Sequence, residues 1–301
     1  MSSKSIRKLR SILLYFFICI LLSCTVIKSY ANDIRVLSRW DDISLVHDYY
    51  LELLRLVLSK NQHLYSKSKL VFISSKGVAG GKEIVLLKRD VVDIIWSGID
   101  AELELNYLPI RFPLFRGLLG YRTLLITQEN KDKFLNIKSP EQLKKLVACH
   151  GAHWVDSDIL ESNGYLVARF ETANLMLKML VNKRCDYFPR AIFESVIEQK
   201  EAIQDFPNII LMDDIILHYD FGMFYFVEKN NLALAKRLKH GLMTALSDGS
   251  LMELMKSHEI SRHLFPLTQW KNKRYFELSN NITNVKSPMK KNKLWLDLKD
   301  M

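Results

Sequence analysis

The chain has 301 residues, of which 49% are hydrophobic and 25% are charged, and its formal net charge is +10. Five positive charges and no negative ones lie in residues 1–31, so the other 270 residues carry a net charge of +5. This mild excess indicates a solvated surface, and binding to anionic lipid or cell wall is the alternative interpretation. Beyond residue 31 no hydrophobic run is long enough to span a membrane, which excludes an integral membrane protein, and the length allows one large domain or two lobes.

The first 31 residues have the pattern of a secretory signal. A basic stretch at residues 5–10 precedes an apolar run at residues 12–22, and Ser29-Tyr30-Ala31 is a small-x-small cleavage site. Residues 21–24 also resemble a lipoprotein box ending at Cys24, but Leu22 fits that box poorly, so we favour cleavage after Ala31. We therefore expect an exported, periplasmic protein, and export excludes nucleic acid as its partner.

Strand and helix patterns alternate from residue 34 onward. Strands are expected at residues 34–38, 69–74 and 91–96, and helices at residues 46–58 and 79–88. This βαβαβ order is typical of a parallel sheet.

A second unit of the same kind follows. Its strands are expected at residues 146–149, 165–169 and 185–188, and its helices at residues 156–162 and 173–182. Ser139 before Pro140 marks another helix start, and Thr172 should cap the second of the two helices. Because α/β sheets bind ligands at the carboxyl ends of their strands, the strand that ends at Phe188 should open into a binding site.

The remaining segments predict a chain that crosses between two lobes and returns. A β-rich run at residues 221–227 precedes an apolar helical stripe at residues 232–245. The predicted fold class is α/β with two lobes, each a mostly parallel sheet flanked by helices. We assign residues 32–117 and 226–301 to a discontinuous lobe 1 and residues 118–225 to lobe 2.

Several segments resemble extracellular solute-binding proteins of family 3. Residues 91–98 (VVDIIWSG) are similar to the family's strand that ends in the ligand cleft, and residues 149–154 to its second-lobe loop. Residues 183–186 look like its strand entry, and residues 242–251 like its penultimate helix and turn. The resemblance implies a type II periplasmic-binding fold, whose two lobes close on a small molecule by hinge motion.

A divergent branch of that family is a closer match. The shared motifs are GLLGYR at residues 117–122, WxDxxIL at residues 154–160 and DYFPR at residues 186–190. The family's amino-acid binders carry an arginine soon after the first-lobe glycine, but residues 98–104 contain none. Where those binders carry an aspartate for the amino group, this chain has Arg190. Arg190 therefore suggests an anionic or polar ligand group, and a structural ion pair with an acid such as Glu194 is the alternative.

Residues at the expected cleft are the candidate ligand contacts. Tryptophans that end strands or follow them could stack on a ring or sugar face, although core packing is equally open for Trp40. Two glycines would let backbone amides approach the ligand, and Arg190 would meet a negative group. The full set of candidates is Trp40, Trp96, Ser97, Gly98, Gly151, His153, Trp154 and Arg190.

Catalytic and metal chemistry find little support in the sequence. Residues 77–83 faintly resemble a phosphate-binding loop but have the wrong spacing, and Glu83 replaces the required Ser or Thr. His150 and His153, with Asp156 and Asp158, are metal-ligand types, but zinc sites usually need three or four converging ligands, so we favour His153 and Trp154 as contacts to an organic ligand. No Gly-x-Ser-x-Gly elbow occurs, so we expect no enzyme, no catalytic residue, no metal and no cofactor.

The leading hypothesis is a monomeric periplasmic solute-binding protein. It would capture a small polar molecule, to which Arg190 suggests an anionic group, for a membrane transporter or sensor. The alternative is an accessory protein that keeps the fold but docks on an envelope partner without binding solute, as the loss of both charge anchors suggests. Metal-assisted hydrolysis by the histidine loop is a weaker third hypothesis.

Two cysteines, Cys149 and Cys185, remain after residue 31. Export invites a disulfide prediction. In the lobe order that the resemblance implies, however, one cysteine ends its strand and the other begins the neighbouring strand. An offset of about three residues, roughly 10 Å, exceeds the Cα separation of about 7 Å that a disulfide tolerates. We therefore expect two buried, reduced cysteines.

Overall fold

The computed structural model describes residues 33–38, 45–65, 67–74, 83–99, 101–282 and 293–301. The predicted signal peptide with Cys24, the candidate contact Trp40 and the glycine-rich loop at residues 77–82 lie outside these ranges. Within the described ranges, no helix is long and apolar enough to cross a membrane.

The first described elements are a parallel strand pair and the long helix that covers it. Strand β1 (Ile34–Leu37) pairs in parallel with β2 (Leu70–Ile73), and helix α1 (Leu45–Ser59) connects them. Apolar residues recur at helical spacing in α1, and its buried face includes Tyr50 and Leu54. The predicted β-α-β order of this segment is confirmed.

A second, antiparallel sheet follows. It has the order β3 (Ile95–Gly98), β10 (Met223–Glu228), β4 (Tyr107–Ile110). The short helices α2 (Glu83–Lys88) and α3 (Ala101–Asn106) flank β3 in the chain. The third strand was predicted at residues 91–96 but begins at Ile95. Before that point the Asp93 carboxylate accepts hydrogen bonds from the backbone and side chain of Arg35, so residues 91–94 follow β1 without forming a regular strand.

The middle of the chain forms the largest sheet. Strand β5 (Tyr121–Thr127) lies between β9 (Ile209–His218) and β8 (Phe188–Ala191) and is antiparallel to both. Strand β11 (Arg274–Glu277) joins the other side of β9 in parallel, so a C-terminal segment completes this sheet. All residues of β5 are buried.

A parallel pair, β6 (Val147–Gly151) and β7 (Leu166–Phe170), packs beside this sheet. The helices of the region are α4 (Lys131–Leu135), α5 (Pro140–Leu143), α6 (Val155–Ser162), α7 (Ala173–Val181) and α8 (Ser195–Asp205). The predicted helix starts are confirmed: α5 begins directly after Ser139, and the Thr172 side chain accepts a hydrogen bond from the Leu175 amide.

The return segment supplies helices α9 (Leu232–Ser247) and α10 (Ser250–Ser257). Helix α9 packs closely on α1, since a Cβ on Gly241 would lie 2.2 Å from the Val57 carbonyl oxygen. The fold is α/β, with sheets flanked by helices. Its sheets combine parallel and antiparallel pairs, because β5, β9 and β10 include antiparallel neighbours. The assignment of residues 118–225 to one lobe stays a prediction.

The prediction of reduced cysteines is wrong. Cys149 and Cys185 form a disulfide, with their Cα atoms 5.5 Å apart. The predicted strand at residues 185–188 starts only at Phe188, and residues 184–186 form a bend that brings Cys185 back over Cys149. Both cysteines are buried, as expected, in an apolar cluster with Met176.

Candidate ligand-binding site

A cavity of about 450 Å³ lies between α1 and β3 on one side and β5, β8 and the start of α6 on the other. Its walls combine aromatic and charged side chains, the composition of a small-molecule site. The aromatic lining residues are His47, Tyr50, Trp96, His153, Trp154 and Phe221. The charged ones are Glu83, Arg122, Asp156, Arg190 and Glu194.

Most of the residues predicted as ligand contacts line this cavity. Trp96, Ser97 and Gly98 come from β3, while His153 and Trp154 precede α6 and Arg190 lies on β8. Residues far apart in the chain therefore converge, because both halves of the fold present strand ends to the same space.

The two predicted glycines have packing roles in the structure. A Cβ on Gly151 would lie 2.3 Å from the Trp154 ring, and Gly151 does not line the cavity. A Cβ on Gly98 would lie 2.9 Å from Phe221. Each glycine therefore makes room for an aromatic side chain of the site.

One wall of the cavity is an aromatic cluster around Trp96. The ring of His47 meets Trp96 edge-on at 4.7 Å, and the ring of Tyr50 lies 5.6 Å away. Sequence reasoning missed Tyr50, which the helical apolar spacing of α1 indicated only as core.

Tyr50 is buried, with only 2% of its surface exposed. Its hydroxyl nevertheless has no hydrogen-bond partner in the described part of the chain. Burial raises the pKa of Tyr50 well above its ordinary value, and the negative charge of Glu194 raises it further. A buried hydroxyl without a partner is costly, so this atom is a candidate for contact with a ligand.

Arg190 is engaged by carboxylates on its own side of the cavity. Its Nη2 lies 2.9 Å from Glu194 Oε2, and its Nε and Nη2 both donate to Glu198. Its guanidinium lies over the Trp154 ring at 4.9 Å. Burial alone would lower the pKa of Arg190, but Glu194 and Glu198 outweigh that effect and raise it. The ion pair with Glu194, left open on sequence grounds, is present.

A second buried guanidinium, Arg122 of β5, was missed by sequence reasoning. Its Nη2 lies 2.7 Å from Asp156 Oδ2, and its Nε donates to the Tyr219 hydroxyl at 2.9 Å. That hydroxyl donates to Asp156 Oδ2 at 3.0 Å. The sequence did contain a clue to this role, because a charged arginine inside the mostly apolar strand YRTLLIT needs a buried partner.

Glu194 connects the two guanidinium groups. It contacts Arg190 at 2.9 Å and lies 3.8 Å from Arg122 Nη1. Burial raises the pKa of Glu194, and the arginines oppose this shift only in part. Burial would also raise the pKa of Asp156, but Arg122, His150, Tyr219 and Arg190 together outweigh it, so the pKa of Asp156 is lowered.

The two histidines of the loop after β6 diverge. His150 is completely buried, with Nδ1 2.6 Å from Ser157 Oγ and Nε2 3.7 Å from Asp156 Oδ2. Burial lowers the pKa of His150 to about 4. His153 is 81% exposed in its side chain and lies beside Glu171. The loop therefore gives one histidine to the buried network and one to the rim of the cavity.

Comparisons with known proteins identify the class of fold. No protein-family model matches the sequence of the chain. No curated protein matches it either. Among solved structures, an ancestral arginine-binding protein bound to arginine superposes with a TM-score of 0.54 at 13% identity, covering 77% of this chain and 100% of that one. The probable amino-acid ABC transporter extracellular-binding protein ytmK from Bacillus subtilis superposes with a TM-score of 0.52 at 17% identity, covering 71% and 88%. The chain thus has the two-lobed fold of periplasmic binding proteins.

Proposed function

We propose that this protein reversibly binds a small polar solute between its two lobes and presents it to a membrane transporter or sensor. The observation that carries this proposal is the cavity of about 450 Å³ whose walls come from distant parts of the chain. A space of this size accommodates a metabolite, and its mixed aromatic and polar lining can both cover and orient one. The similar structures named as arginine-binding and amino-acid transport proteins support a binding role over an enzymatic one.

The roles proposed for individual residues follow from their positions in the lining. Trp96 and Trp154 would cover the solute, while Ser97 and the rim residue His153 would offer polar contacts. Gly98 and Gly151 would act indirectly by seating Phe221 and Trp154. An anionic group on the solute, expected at Arg190 from sequence, would have to take the place of Glu194 or Glu198.

Solute capture would involve closure of the lobes. We propose residues 32–117 and 226–301 as one lobe and residues 118–225 as the other, with β11 contributing a strand to the sheet of the second. The protein would act as an exported monomer in the periplasm. Binding of a solute should shift the population toward a closed form, which small-angle scattering detects as a smaller radius of gyration.

A thermal-shift screen against a metabolite library tests the function, because a ligand that binds only the native state raises the melting temperature. We expect at least one small polar metabolite to raise it, and we expect Trp154→Leu to reduce that rise. Trp295→Leu is the matched control, since Trp295 packs against Gly117 and Phe224 and does not line the cavity. A screen without any stabilising metabolite would favour the accessory-protein alternative.

A further inference from the structure

The charges around the cavity indicate the charge of its ligand. Both guanidinium groups of the lining are already neutralised: Arg122 by Asp156, and Arg190 by Glu198 and Glu194. An anion would therefore have to break a buried ion pair, which leaves a buried carboxylate without its partner and is strongly unfavourable.

Carboxyl groups outnumber guanidinium groups within this network. Its carboxylates are Asp156, Glu194 and Glu198, against two arginines, and His150 stays neutral near pH 7 because burial holds its pKa at about 4. Glu194 is the carboxylate that the two arginines share, at 2.9 Å and 3.8 Å, and it lines the cavity. Burial raises the pKa of Glu194, so a positive group beside it would favour its charged form, and this carboxyl group faces the space where a ligand would lie.

Two further features of the walls suit a positive group. Trp96 and Trp154 line the cavity, and aromatic faces attract cations, as the Arg190 guanidinium 4.9 Å from the centre of the Trp154 ring shows. Tyr50 lines the cavity, and its buried hydroxyl has no partner within the described residues, so its oxygen can accept a hydrogen bond from an N–H donor that reaches it.

We infer that the cavity takes a cationic nitrogen compound, such as an ammonium or amidinium, whose N–H groups donate to Glu194 and to the Tyr50 hydroxyl while its apolar part lies between the tryptophans. This inference rests on the proposed function and names the charge of its solute. A cation at Glu194 would pair with the third carboxyl group of the network without displacing either arginine.

Three probes of nearly equal size and shape separate the charge states: benzamidinium, benzamide and benzoate. Calorimetric titration of the folded protein should show benzamidinium binding at least about tenfold more tightly than benzoate, with benzamide between them. Benzoate binding as tightly as benzamidinium, or no binding of benzamidinium at millimolar concentration, overturns the inference.

Two variants test the contacts. Tyr50→Phe removes a hydroxyl that has no protein partner in the described chain, so the fold should keep its stability while benzamidinium affinity falls several-fold. Glu194→Gln should weaken benzamidinium by about tenfold or more and leave benzamide unchanged. Glu161→Gln, a loss of the same charge at an exposed site beside Arg169, is the control and should leave benzamidinium affinity unchanged.

If both Tyr50→Phe and Glu194→Gln bind benzamidinium like the unaltered protein, the inferred contacts are wrong. The test also separates this inference from the proposed function. A metabolite screen that finds only anionic ligands for the cavity would contradict the cationic class and leave solute binding intact, whereas a screen that finds no ligand at all would contradict both.

Discussion

Arg122 and Asp156 form an ion pair at 2.7 Å between side chains that are only 4% and 6% exposed. The pair joins β5 to the start of α6 in the wall of the cavity, and Tyr219 bridges it by accepting from Arg122 and donating to Asp156. Because both side chains are withdrawn from water, removing either one would leave the other as an unpaired buried charge.

Removing one partner of this pair should destabilise the protein strongly. Arg122→Met leaves Asp156 buried without its cation, and we expect the free energy of unfolding to fall by about 3–5 kcal/mol. Urea denaturation measures the change. The control is Arg169→Met, because Arg169 pairs with exposed Asp158 and Glu161 and should cost about 1 kcal/mol or less. Equal losses of unfolding free energy in the two variants would show that the buried pair contributes no more to stability than the exposed one.

Reduction of the disulfide should also weaken the fold. The bond between Cys149 and Cys185 closes a loop with a sequence separation of 36, for which loop-closure entropy predicts a loss of about 4 kcal/mol on reduction. Denaturation curves with and without reductant measure this loss. Protein expressed from residue 32, denatured without reductant, should show no free thiol; two free thiols would mean that the bond is absent.

His150 should make stability depend on pH between about 6.5 and 4. Burial lowers the pKa of His150 to about 4, whereas the unfolded chain takes up this proton near pH 6.5. In that window the unfolded state binds more protons, so stability is fully present above pH 6.5 and declines as the pH falls toward 4. Asp156 opposes this shift, while Arg122, Arg190 and Arg169 reinforce it.

The comparison that checks this pH dependence uses two substitutions. His150→Gln should flatten the decline in melting temperature between pH 6.5 and 4, and His153→Gln should preserve it, because His153 is largely exposed. An unchanged decline in His150→Gln would assign the pH dependence to other groups.

Gly151 should be intolerant of a methyl group because of Trp154. In Gly151→Ala the new Cβ would lie 2.3 Å from the indole, so the ring must move from its place over Arg190. We expect a loss of about 1–3 kcal/mol of stability and a shifted tryptophan emission spectrum. Gly249→Ala is the control: its Cβ meets nothing within 4 Å, and its φ of +82° should cost about 1 kcal/mol without altering the emission. An emission spectrum unchanged in Gly151→Ala would contradict the proposed packing.

Local signals in the sequence were sufficient for most of the helices and strands. The apolar spacing in α1 and α9 and the caps at Ser139 and Thr172 each predicted an element that the structure contains. These signals are reliable because helix periodicity and capping depend on neighbouring residues. Strand limits were less reliable, and the strands expected to end at Trp96 and Phe188 begin near those residues.

The sequence also indicated which residues would share the site. Trp96, Trp154 and Arg190 were placed at strand ends from the order of elements, and all three line the cavity. Such a prediction succeeds because an α/β fold directs the ends of its strands to a common space, whatever the details of packing.

The sequence by itself thus determined the order of elements and the strand ends that meet. Only the tertiary structure decided the contacts that depend on distance: the pairing of Arg122 with Asp156, the carboxylates around Arg190, the Tyr50 hydroxyl and the disulfide. The physical reason is that the spacing of apolar residues along the chain determines which face of a helix or strand is buried. The partner of a buried charge or a thiol is instead the group that the folded chain brings within a few ångströms of it. A bend of three residues, 184–186, was enough to bring Cys185 to Cys149 against the expected register.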